Sequence, residues 1–299
     1  MGWMSALPGA VAQGMIWGIM AIGVYITFRI LDMADLTVDG SICTGAAVCA
    51  VLVARGVPIG LAMLAALLAG MLAGFVTGVF HTFMGIPPIL AGILTQLILW
   101  SVNLKIMGKA NQAYNPRADF LLVSQLERGR TFLVLGLSAV LIIGILYWFF
   151  GTELGCSIRA TGCNLHMSRA QGINTDMTKI LGLVLSNGIV AFAGAMLSQY
   201  QGAADINMGR GAIVIGLAAV IIGEALFSKI NRNFAVRLLG VITGGVVYYI
   251  VYQTVIFLGL DTDLLKMLSA LVVAVFLAVP YWKKTYFSKK KEEHKNAAA

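Results

Sequence analysis

Apolar runs long enough to cross a lipid bilayer recur along almost the whole chain, and no other feature constrains the fold as tightly. A helix needs about 20 mostly apolar residues to traverse a hydrocarbon core. Such runs occupy residues 9–30, 36–55, 57–80, 86–107, 131–150, 177–201, 210–228, 234–259 and 263–282. The chain therefore reads as an all-α, polytopic membrane protein with about nine spans, eight to ten in range. Composition agrees: 59% of the 299 residues are hydrophobic and 11% are charged, where a soluble domain carries about a quarter charged residues. Several runs hold Gly, Ser, Thr or Pro, so broken or tilted helices are expected where they face protein or a cavity. Residues 1–282 form one membrane domain and 283–299 a basic tail. No basic residue precedes the first run, so it is expected to persist as a span rather than serve as a cleaved signal.

The net charge of +8 is not a nucleic-acid signature. Six lysines (283, 284, 289, 290, 291 and 295) follow the last apolar run, the pattern of a cytoplasmic segment facing anionic lipid. With that tail inside, thirteen Lys and Arg lie on the inner side and eight on the outer. The bias places the N-terminus outside and the loop 151–176 in the cytoplasm. Most outer charges fall in or beside a loop near 108–130, which reads either as a surface for an external partner or as a plain surface loop.

Two segments echo each other. Ala34–Val48 (ADLTVDGSICTGAAV) and Ala204–Val220 (ADINMGRGAIVIGLAAV) both open on Ala-Asp-aliphatic, pass through Gly and end on Ala-Ala-Val. The first starts at the inner face and the second at the outer, as in an inverted repeat built around a central site. Their spacings differ by two residues.

Several kinds of chemistry are missing. Asp32, Asp35 and Asp39 are read at the inner end of the first span, and Asp205, Asp261 and Asp263 at outer ends. Glu224 is the deepest carboxylate. A proton- or sodium-driven pump keeps carboxylates or His in mid-membrane, and none is expected there. His81, His166 and His294 are scattered, and Cys43, Cys49, Cys156 and Cys163 lack metal-ligand spacing and read as packing residues. IMGKAN has Gly-Lys without the rest of a phosphate-binding loop, so the energy for transport would come from another subunit.

That subunit needs a handle, and loop 151–176 offers one. Asn164 is a good N-cap, Leu165 to Gln171 suffice for about two helical turns, and Gly172 suits the position after a helix. Asn174 or Thr175 then caps the next span, with Asp176 in its first turn. Such a helix would transmit a push, or else lie in the headgroups with its arginines on phosphate.

The stretch GCSIRATGCNLHMSRAQGIN (155–174) resembles the G-x-x-x-R-A-x-G-x-N-x-x-x-[AS]-R-x-x-G-I-N signature of ATP-binding-cassette importer permeases. Gly155, Arg159, Ala160, Gly162, Asn164, Arg169, Gly172, Ile173 and Asn174 carry the match. The chain is similar to the branched-chain amino acid, ribose and nucleoside permease superfamily, with type II architecture of the vitamin-B12-importer kind. GVYITFRILDMADLTVDGS, HTFMGIPPILAGILTQ and SVNLKIMGKAN resemble a subgroup paired with lipoprotein or periplasmic binding proteins, some assigned to tryptophan or tyrosine uptake. The resemblance implies a bacterial inner-membrane protein without enzymatic activity or a cofactor of its own. It implies a second copy of the chain, two ATPase subunits that hold ATP and Mg, and an external binding protein. The loop helix, with Leu165 beside the residues just named, would be the coupling helix that docks on the ATPase. Cargo would cross between two copies of the chain. Asp35, Thr37, Asp39, Ser41 and Thr44 are the first candidates to line that path, with Pro87, Pro88, Thr95 and Gln96. Asn187 belongs to the same candidate path, on a polar face with Ser186, Ser198 and Gln199, and Asn103 is a further polar position within a span. A sugar or nucleoside importer, an ion-coupled transporter and a membrane scaffold stay open as alternatives.

Overall fold

A computed structural model describes residues 3–113, 121–125, 127–227 and 233–257, with isolated positions 267, 271, 274, 275 and 278. The expected ninth span falls almost entirely outside these residues, and the basic tail entirely so. The order is α1 (Trp3–Tyr25, extended by a π-helical turn Ile26–Ile30), α2 (Val38–Ala54), α3 (Ile59–Thr82), α4 (Pro88–Met107), β1 (Asn111–Ala113), α5 (Arg128–Phe149), α6 (Glu153–Cys163), α7 (Leu165–Ala170), α8 (Thr175–Gln201), β2 (Ala203–Asp205), α9 (Ala212–Leu226) and α10 (Phe234–Phe257). Eight of the helices fall on the first eight predicted spans. Among the described residues six are long and apolar enough to cross a membrane. The all-α reading needs one small amendment: β1 and β2 form a two-stranded antiparallel pair, Asn111 opposite Asp205.

Helices α1 and α8 form the centre, with most of their surface buried. Helices α3, α4 and α5 present rows of leucines outward, among them Leu72, Leu97 and Leu137. In water such faces would demand cover, whereas in a bilayer they meet lipid or another apolar helix at no cost. Close packing relies on small residues. On α3, Gly70, Gly74 and Gly78 recur every fourth position against Asn187, Leu183 and Ile180 of α8, so the two backbones touch along one seam.

Two helices are short for a physical reason. Helices α2 and α9 have 17 and 15 residues, or about 25 and 22 Å at 1.5 Å each, less than the roughly 30 Å of a hydrocarbon core. Each begins inside the bundle. The chain leaves the π-turn at Ile30 and climbs to Asp35, which bonds Asn187 near the middle of α8. From the opposite end, the chain leaves β2 and descends until Gly209 lies against Asp39 and Cys43 of α2. The two helices then run in opposite directions from neighbouring N-termini.

The internal echo has a structural counterpart at these dips. Asp35 Oδ1 accepts a bond from Thr37 N (2.9 Å), and Asp205 Oδ1 accepts one from Asn207 N (2.7 Å). Both aspartates thus fold their own backbone two residues on, each ahead of a short helix.

Because α3 and α8 touch through backbone, Gly74→Ala would drive a methyl group into the Leu183 carbonyl. We expect a loss of about 1–3 kcal/mol or more, read as a lower melting midpoint in detergent. The matched Gly136→Ala on α5, where a methyl group meets nothing within 4 Å, is expected to leave the midpoint unchanged or slightly raised.

Candidate functional site

The first site is a polar knot halfway through the bundle. Asn187 Nδ2 donates to Asp35 Oδ2 (2.7 Å), and Ser41 Oγ donates to Asn187 Oδ1 (2.6 Å). The hydroxyls of Thr37 and Thr77 lie 2.8 Å apart, and those of Thr77 and Thr95 2.9 Å apart. The knot ties α2, α3, α4, α8 and the climbing segment together. Each of these residues is at most 2% exposed. The carboxylate of Asp35 therefore stands in the middle of the bundle, not at the inner end of a span. The reason is the dip, which apolar periodicity does not reveal.

The candidate path residues separate into groups. Asp35, Thr37, Ser41, Thr95 and Asn187 face one another inside the chain. Thr44 is buried too and donates to Gly40 O. Ser186 is held by Gly23 O, and Gln199 by Ala195 O and Leu122 N. Ser198 donates to Ala195 O. Pro87 and Pro88 start α4 at the end that carries α6 and α7, as proline at N1 does. Only Asp39 and Gln96 of the set, with Asn103, reach a cavity of about 220 Å³ between α2, α4 and the descending segment. Arg210 and Trp100 line it as well.

Asp39 organises this cavity. Its Oδ2 accepts from Gly211 N (3.0 Å) and its Oδ1 from Ile213 N (2.9 Å). One carboxylate thus serves the first turn of its own helix and closes the N-terminus of α9. Both helix ends carry partial positive charge, which Asp39 offsets. One turn on, Cys43 Sγ accepts from Gly209 N (3.1 Å) and donates to Ile206 O (3.4 Å).

The second site lies at the end of the bundle where α5 passes into α8. Here α6 and α7 form two capped helices in series. Thr152 caps α6 and Asn164 caps α7, with Met167 N donating to Asn164 Oδ1 (3.1 Å). Gly172 ends α7 at φ +81°, and Asn174 caps α8 through Asp176 N and Met177 N. The structure ends the expected two-turn helix at Ala170. It also resolves α6 as a helix of its own within what the sequence presents as loop.

The motif residues divide by direction. Gly155 and Gly162 press on the backbones of Phe149–Phe150 and of Ile30, where no side chain fits. Arg159 lies over the rings of Phe150 (5.3 Å) and Phe234 (4.6 Å), binding α6 to the bundle by cation–π attraction. Arg169 Nε donates to Thr175 Oγ1 (2.8 Å), and its Nη2 lies 3.4 Å from Asp176, so α7 is tied to α8. Ala160 and Leu165 are half-buried. Among the large apolar side chains at this end, Leu154, Met167 and Met177 face outward, each more than half exposed. They are apolar side chains on a polar loop, and that mismatch was the available signal for them. Nearby, Arg29 grips Glu224 through two 2.7 Å bonds, so the deepest expected carboxylate is an ion-pair partner at this end.

A family model for the permease component of branched-chain amino acid transport systems matches residues 7–279. A tyrosine transport system permease protein of Clostridioides difficile strain R20291 is 39% identical over 277 residues, covering 92% of this chain and 91% of that one. An uncharacterized Rickettsia prowazekii protein is 33% identical over 279 residues, covering 92% and 98%. An autoinducer 2 import system permease protein of Salmonella paratyphi B is 28% identical over 207 residues, covering 64% and 56%. With multiple apolar helices and a family match over nearly its whole length, the chain belongs to the permease family of branched-chain amino acid transport systems.

Proposed function

We propose that the chain is the membrane subunit of an ATP-driven importer that takes up an amino acid, of the aromatic kind. The observation that carries this is the family match over residues 7–279, on a chain that carries the α6–α7 pair as a firmly anchored appendage at one end of the bundle. The 39% identity to a protein named for tyrosine transport supports the cargo class. In this reading the α6–α7 end is cytoplasmic and the N-terminus external. Two copies of the chain enclose the path. Two ATPase subunits bind ATP and Mg and receive α7, and an external binding protein delivers cargo. Leu154, Met167 and Met177 supply the apolar contact, while Arg159, Arg169 and the motif glycines hold the lever stiff.

The direction of each side chain sets the expected outcome. Met167→Glu puts a charge on an exposed apolar contact, so the fold should stand while the ATPase is released. The expected result is an unchanged melting midpoint, loss of co-purification with the ATPase, and uptake reduced about tenfold or more, worth about 1.4 kcal/mol of binding. Arg159→Glu removes a cation held between two rings and should lower the midpoint as well. Full uptake by Met167→Glu, or by a chain lacking residues 165–171, would remove the lever from the account.

One observation favours a second reading, an ion-coupled transporter: the Asp35 carboxylate is buried at mid-depth, where coupling groups sit. All its bonds, however, go to groups of the knot. Asp35→Asn is nearly isosteric, and in the importer it is expected to retain ATP-driven uptake within a few-fold. Uptake abolished while ATPase association persists would transfer support to ion coupling.

A further inference from the structure

We infer that the cavity between α2, α4 and the descending segment 206–211 is a cargo subsite that reads the carboxylate and ammonium of an α-amino acid. This deepens the proposed function and rests on it. Three observations carry the assignment. The first is depth. Arg210 lies beside Asp39 and Cys43, about three helical turns, or roughly 16 Å, from the far end of α2. An arginine at that depth faces water, a partner or cargo rather than lipid. Arg210 makes no ion pair or side-chain hydrogen bond among the described residues, and the one carboxylate lining the cavity, Asp39, has both oxygens engaged by Gly211 N and Ile213 N. Asp39 keeps its charge, but its oxygens are held by backbone amides, so the planar N–H fork of Arg210 is the group left to take a second carboxylate.

The second observation is an orphaned acceptor. Asn103 is fully buried, and its Oδ1 has no hydrogen-bond partner. Nδ2 faces the Gly40 carbonyl at 3.5 Å, a contact that favours this amide orientation over the flipped one. A buried acceptor without a donor costs free energy, and a ligand N–H or O–H would remove that cost. The third is the wall. Trp100 and Leu97 border the same space, offering an apolar surface beside the two polar groups. A cation, a donor-seeking oxygen and an aromatic wall match a zwitterion with an apolar side chain. A neutral sugar would leave Arg210 unanswered.

The test uses the full chain in lipid nanodiscs and the complete complex in proteoliposomes. For the wild type, millimolar L-tyrosine or L-tryptophan is expected to raise the melting midpoint, and tyramine, which lacks the carboxylate, is not. Arg210→Gln and Asn103→Leu are expected to abolish the shift. In the complex both should lower L-tyrosine uptake about tenfold or more, the loss of one charge-assisted hydrogen bond, while ATPase stimulation by the binding protein stays within about twofold. Equal shifts with tyramine and tyrosine would overturn the subsite, as would undiminished uptake by Arg210→Gln. Lost ATPase stimulation in Arg210→Gln would also overturn it, by making the arginine a docking contact for the binding protein. ATP-driven uptake of D-ribose but not tyrosine by the wild type would overturn the cargo class and the subsite together. Absence of any ATP-driven uptake would remove the importer reading itself.

Discussion

A helix that begins halfway through a hydrocarbon layer must satisfy its free backbone amides without water, and the architecture of this chain follows from that requirement. Helices α2 and α9 both start at depth. Neither segment could exist beside lipid, where each unsatisfied amide would cost several kcal/mol. The chain meets the demand with two aspartates. Asp35 accepts Thr37 N at the start of α2, and Asp39 accepts Gly211 N and Ile213 N at the start of α9. Asp35 needs company in turn: Asn187 of α8 donates to it, and the hydroxyls of Thr77 on α3 and Thr95 on α4 extend the network from Thr37. The polar residues of the spans are therefore mostly the consequence of two broken helices, not an independent aqueous lining.

The same economy shapes the far end of the bundle. A short helix on a loop becomes a lever only if both of its joints resist bending. On one side Gly155 and Gly162 bring α6 into backbone contact with the ends of α5 and the π-turn, and Arg159 adds its two rings. On the other, Arg169 and Asn174 fasten α7 to the first turn of α8. Helix α8 then runs unbroken to Asn187, the centre of the knot. In the proposed importer a displacement of α7 would pass along one rigid rod to the point from which α2 and α9 both start. That continuity is geometric, and it gives Gly155, Arg159, Gly162 and Arg169 of the motif a common role as joints.

Much of this was legible in the sequence because apolar length and capping chemistry are local. The eight described spans fall where runs of Leu, Ile, Val and Ala put them. The caps at Asn164 and Asn174 and the turn at Gly172 follow from single residue types. What escaped was depth. Asp35, Asp39 and Arg210 stand at the edges of apolar runs, and an edge in sequence looks like an edge of the membrane. Only the dips carry these residues inward, and a dip is fixed by tertiary contacts such as Asp35 with Asn187. Thr77 escaped too, since a hydroxyl in a helix commonly bonds its own backbone, as Thr77 also does with Ala73 O. Helix α6 was hidden because its burial depends on Phe150 and Ile30, distant partners that no local pattern announces.

Depth also bears on how tightly such a cavity would hold cargo. A transport site must bind well enough to admit a solute and weakly enough to let it go. Of the charged groups that line the cavity, Asp39 is already committed to backbone amides, which leaves Arg210 as the one ionic contact on offer. Asn103 contributes a single acceptor and Trp100 one face. Two polar contacts and a partial wall are far fewer than a storage site would use, and each is set against the cost of stripping water from a zwitterion. Affinity in the proposed importer would then reside in the external binding protein, and the permease would supply an orientation and a gap in its hydrocarbon barrier. The arrangement that satisfies two broken helices ties up the carboxylate and leaves the guanidinium's N–H groups unused by the described residues, and that remainder is what would make the cavity selective without making it tight.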